Sequence, residues 1–254
     1  MTLALPKRKL VGTIFVLATI TLLSWLYLTA IATDMPMSAN VVMSAMQTQT
    51  WDLHYFFMMY LMWAIMMIGM MLPSVTPTVL IYAAVSRKAK SQGNSATSTG
   101  TFVLGYIVMW LLFSLAATLA QWGLDQAALL SPMMKSNSNY LAACLLVIAG
   151  IYQYSPLKQQ CLHHCRNPML YISSHWQPGN IGALKMGISH GIYCLGCCWV
   201  LMLLLFVGGV MNLLWIAALT IFVLLEKVLP FGDIAGRALG VGMIISGIAV
   251  ATLL

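Results

Sequence analysis

Charge is what this chain has least of. Only 7% of its 254 residues are charged, against 61% hydrophobic, whereas a soluble domain carries roughly 25%. A chain so poor in charge cannot cover its own surface in water. Acidic residues number five in all, which leaves little general acid–base machinery. G-x-x-x-x-G-K-[ST] and H-E-x-x-H are both missing. Their absence excludes a P-loop ATPase engine and a zincin-type metalloprotease. The net charge of +7 raises the question of nucleic acid. The basic residues, however, sit in short clusters between apolar runs, so the partner expected is the lipid bilayer and not nucleic acid.

What is present is a series of hydrophobic runs. About 20 apolar residues suffice to cross a bilayer. The runs are Leu10–Ile31, Leu53–Val85, Thr101–Trp122, Tyr140–Tyr154, Met186–Val210, Leu213–Leu229 and Ala238–Leu254. They predict an all-α, polytopic transmembrane helix bundle of about seven spans, with residues 1–254 forming a single integral membrane domain. A cytoplasmic N-terminus places eleven basic residues inside or at the inner boundary, among them Arg87, Lys88, Lys90, Lys158, Arg166, Lys185, Lys227 and Arg237. Only Lys135 then lies outside, as the positive-inside rule requires. Ala30 and Ala32 make an A-x-A pattern behind a basic start, as before a signal-peptide cleavage point. The run is longer than a signal core of about 7–15 residues, and a retained span is expected. Pro36–Thr50 reads as an outer connector and Ser91–Ser98 as a polar inner one. Pro73 and Pro77 are expected to kink or unwind the inner part of the second span.

Six cysteines and 20 methionines supply the chemistry. His190, Cys194, Cys197 and Cys198 are spaced i, i+4, i+7, i+8, one face of a helix. Met186 and Met202 extend the stripe. Thiolate and thioether ligands favour Cu(I). The alternative is that these cysteines are small packing residues. Three in five positions, with a histidine on the same stripe, favour a metal.

The longest inner connector, 155–183, holds Cys161-Leu162-His163-His164-Cys165. On a helix Cys161, His164 and Cys165 share a face and His163 points away, a set able to hold copper or zinc. It lacks the C-x2-C spacing usual in structural zinc sites. The second span carries Met59, Met62, Met66 and Met70 on one stripe, either packing methionines or a ladder of weak Cu(I) sites. His54 is an outer ligand or an interfacial histidine. Lys227 reads as a helix-end lysine snorkelling to water. Glu226 has Lys158, Lys185 and Arg166 as candidate partners.

Four blocks carry a family resemblance. They are Trp63 with Met66, Met67, Met71 and Pro73; Tyr152-Gln153 with Pro156-Leu157-Lys158, Cys161, Cys165-Arg166 and Pro168; Cys194 with Gly196-Cys197-Cys198-Trp199, continuing to Met211-Asn212-Leu213; and Glu226-Lys227 with Pro230. Together they resemble the bacterial metal-binding integral membrane proteins, some of which are named as copper chaperones. The resemblance implies a multi-pass protein of the bacterial inner (plasma) membrane. It also implies delivery of copper to a copper-receiving oxidase of the tyrosinase type, with a soluble copper carrier as a further partner. No enzymatic activity is expected. Two other functions fit the residues: a membrane thiol–disulfide oxidoreductase using Cys194 and Cys197, and a structural or assembly subunit.

Overall fold

A computed structural model describes residues 7–37, 51–92, 98–130, 134, 136 and 138–252. Residues 38–50 of the connector expected at Pro36–Thr50, the centre of that at Ser91–Ser98, and Lys135 lie outside the described residues. The described chain is helical throughout: α1 (Lys7–Met37), α2 (Leu53–Ser91), α3 (Thr99–Gln126), α4 (Asn139–Tyr152), α5 (Pro156–Arg166), α6 (Pro168–Ser174), α7 (Gly179–Leu203), the single turn α8 (Leu205–Gly208), α9 (Leu213–Val228) and α10 (Gly232–Thr252). Strands are absent among the described residues apart from an isolated bridge between Leu130 and Ser136.

Local sequence sets many of the boundaries. Asp52 caps α2 at the Tyr55 amide (2.8 Å), Ser138 caps α4 at Leu141, and Asn212 caps α9 at Trp215. Ser155 caps α5 with Pro156 at its first turn. A residue preceding proline avoids helical backbone, and Ser155 is extended at ψ 134°. The chain therefore turns by 64° between α4 and α5. Gly209, at φ +94°, ends α8 in a conformation that a side chain would strain.

Among the described residues, five helices are long and apolar enough to cross a membrane: 10–32, α2, α3, 179–208 and α10. A sixth is reached if α4 and α5 count as one bent span. The expected number of about seven is thus not met. All seven expected runs are helical, but α4 has 14 residues and α9 has 16. At 1.5 Å per residue these reach about 21 and 24 Å, short of the roughly 30 Å hydrocarbon core.

Small residues draw the helices together, as expected where close van der Waals packing drives association. Gly105 of α3 lies against the Leu184 carbonyl of α7, Gly187 against Phe102, and Gly191 against Met109. In the α4–α10 pair, Gly150 lies against the Gly240 carbonyl and Gly247 against the Ala143 carbonyl. Gly196 likewise admits a close neighbour: a methyl group on it would lie 2.6 Å from Cys161 Sγ of α5.

Two expectations change. Helix α2 runs unbroken from Leu53 to Ser91 through both prolines, so it is not unwound. Packing on both sides and hydroxyl bonds from Ser74 to Met71 O and Thr76 to Leu72 O, 2.9 Å each, support this stretch. The connector 155–183, expected as an inner connector between spans, is itself largely helical. It folds into α5 and α6, and α5 packs along α7.

Candidate metal centre

The centre is built around Cys194, halfway along α7. Its neighbours come from four other helices. Tyr106 of α3 places its hydroxyl 3.0 Å from Cys194 Sγ, with Met71 O at 3.3 Å. Lys227 of α9 donates from Nζ to Cys194 Sγ at 3.0 Å and to Ser74 Oγ of α2 at 3.2 Å. Cys165 of α5 brings its thiol to those of Cys194 and Cys197. Cys194, Cys197 and Cys198 are each only 1% exposed, so none of the three faces lipid.

Cys197 and Cys198 direct their thiols at the backbone carbonyl of Cys194, 3.0 Å each. Both thiols also lie near the Cys194 sulfur, as that of Cys165 does. Among the described residues no group of three or more His, Cys, Asp or Glu side chains is arranged to hold a metal ion. Cu(I) accepts few, soft ligands, so a pair of thiolates is a chemically sufficient set.

His190 lies one turn before Cys194 and is 2% exposed. Its ring sits among Phe102, Tyr106 and Tyr171, at centroid distances of 6.1, 6.1 and 5.2 Å. Its Nδ1 is buried with no hydrogen-bond partner. Buried polar atoms are nearly always satisfied, and an imidazole nitrogen left over beside thiols suits a metal.

The remaining expected residues are spread more widely. On α5, Cys161 is buried against Gly196, Cys165 is half-buried and His163 is exposed. His164 is stacked on Tyr193 of α7 at 4.2 Å, with its Nδ1 2.9 Å from Gln160 O. Met62, Met66 and Met70 are all buried. Met62 and Met66 fall seven and three residues before Gly69, which packs on Ser24 of α1. Met70, with Met67 and Met71, falls four, seven and three residues before Ser74 and so shares its thiol-facing side. His54 is exposed at the start of α2 and Cys144 is exposed on α4.

The charged residues also find their places. Glu226 pairs with Lys158, the candidate from α5, at 2.6 Å, and both are buried. Lys158 also donates to Gln153. Lys227 does not snorkel, because its ammonium turns inward to Cys194. Arg166 pairs with Asp233 at 2.9 Å and donates to Leu229 O and Pro230 O, closing the α9–α10 corner. Outside the spans, the Tyr171 hydroxyl of α6 donates to Met186 O at 2.8 Å. Burial pushes that phenol up to about 12.

Sequence reading passed over Tyr106 and Ser74 and misjudged Lys227. A lysine in an apolar helix was the available signal for the last. Tyr106 and Ser74 carry none, since a tyrosine and a serine in a helix of this kind are ordinary.

Fold and centre together define a class: an all-helical protein with several helices of membrane-crossing length, enclosing a cluster of buried thiols. The chain belongs to the family described as PpoB2, copper chaperone, whose family model matches residues 60–250. That stretch contains every residue of the centre. No curated protein and no solved structure matches the chain.

Proposed function

We propose that this chain is a multi-pass membrane protein that holds Cu(I) at Cys194 and passes it to a copper-using client. The observation that carries the reading is the meeting at Cys194 of a second thiol from another helix, Cys165, with the partnerless Nδ1 of His190 one turn away. Membership of a copper chaperone family supports copper as the cargo. The thiols of Cys197 and Cys198, once off the Cys194 carbonyl, supply further ligands. Met67, Met70 and Met71 offer thioethers on the same side of α2. The distribution of basic residues favours a cytoplasmic N-terminus in a bacterial plasma membrane. A copper oxidase is the client expected, and a soluble copper carrier the other partner.

The thiol–disulfide alternative is disfavoured by geometry. Cys194 and Cys197 sit on an unbroken helix, where Cβ atoms three residues apart are about 5–6 Å from each other. A disulfide needs about 3.5–4.5 Å, so closing one requires α7 to unwind. Detergent-purified protein with reduced thiols is expected to bind Cu(I) stoichiometrically. The triple variant Cys194→Ser, Cys197→Ser, Cys198→Ser is expected to lose most of it. Unchanged copper content in that variant overturns the assignment.

A further inference from the structure

Beside the centre, a cavity of about 610 Å³ opens between α5 and the α9–α10 corner. Gln159, Leu162, His163, Arg166, Lys227 and Asp233 are among the residues lining it. One of these, Lys227, also touches the Cys194 sulfur. The cavity thus reaches from exposed His163 to within a single side chain of the buried thiols. Arg166 and Asp233 neutralise each other across its wall, which leaves the Lys227 ammonium as the cation without a carboxylate partner along this path. We propose that this cavity is the port through which Cu(I) is exchanged with Cys194, and that Lys227 is its inner gate.

The proposal rests on the copper reading above and adds the route. A buried ammonium needs a partner, and Lys227 has Cys194 Sγ and Ser74 Oγ. A cation arriving from the cavity meets that ammonium first and is repelled by it while the lysine covers the sulfur. The serine hydroxyl, 3.2 Å from Nζ, gives the lysine a contact to keep when it leaves the sulfur. Exchange is then a ligand substitution at constant oxidation state. A Cu–S bond to Cys194 forms as the bond to the carrier's donor atom breaks; that donor departs with its electron pair, and the thiol proton leaves with it. His163 at the rim is placed to take part in the first encounter. Lys227 acts as a positioning residue and not as a ligand.

The test uses the full chain in detergent with thiols reduced, loaded from the coloured Cu(I) bicinchoninate complex. Gln159→Trp and Val228→Trp obstruct the mouth without altering a thiol, and Val228 is exposed, so its replacement leaves the interior intact. Both are expected to reach the wild-type copper content about tenfold or more slowly, a barrier increase of about 1.4 kcal/mol. Lys227→Leu, with the gate removed, is expected to load faster than wild type in the initial phase. Mouth variants that load at the wild-type rate overturn the port, and a Lys227→Leu protein that loads no faster overturns the gate. Neither result touches the copper reading, which fails separately if the wild-type chain takes up no Cu(I).

Discussion

Two lysines adjacent to one acid decide the interior. Lys158 and Glu226 form a buried pair, and removing one member strands the other in a medium where a lone charge is costly. Lys158→Met is therefore expected to destabilise the fold by about 3–5 kcal/mol, and the double variant Lys158→Met, Glu226→Gln to recover most of that. Thermal unfolding in detergent measures both, and a double variant as unstable as the single one would contradict it. The Lys158 partnership was one of three open in the sequence. Nothing in the order of residues ranked Lys158 above Lys185 or Arg166, because the choice depends on the 64° turn that lays α5 along α7. For Lys227 the sequence pointed the wrong way. Position near a helix end suggests an exposed ammonium, but the Lys227 side chain turns inward to Ser74 and Cys194.

Helices were the most legible level. Apolar runs, capping residues and Ser155-Pro156 mark most of the element boundaries, and the i, i+4, i+7, i+8 stripe on α7 is buried as its periodicity implied. The inner connector was the least legible, since α5 and α6 have too little apolar length to announce that they are interior. Tyr171 shows how they are held. Its hydroxyl ties α6 to the start of α7, and Tyr171→Phe should cost about 1 kcal/mol. The pH dependence has a definite sign. Raised to about 12 in the folded chain, the phenol stays protonated there, whereas unfolded tyrosine ionises near 10. The stability it contributes is full below pH about 10 and falls as pH rises towards 12. Alkaline unfolding curves of wild type should show this loss, and Tyr171→Phe should lack that component.

At the scale of the molecule, the helices differ in reach. The 39-residue α2 and 28-residue α3 form a tall wall, whereas α4 and α9 are short, and the end of α9 lines the cavity. A lipid layer meeting unequal walls must thin where they are low, at a cost that grows with each ångström of mismatch. In vesicles of progressively longer acyl chains, the protein should lose thermal stability and Cu(I) exchange should slow. Indifference to chain length would argue against a thinned rim. The low side would also bring the two aqueous phases closest together at the thiols. Most of any transmembrane voltage would then drop across a short stretch around Lys227 and Cys194, so a singly charged passenger there would feel the membrane's electrical polarity more sharply than its depth alone implies.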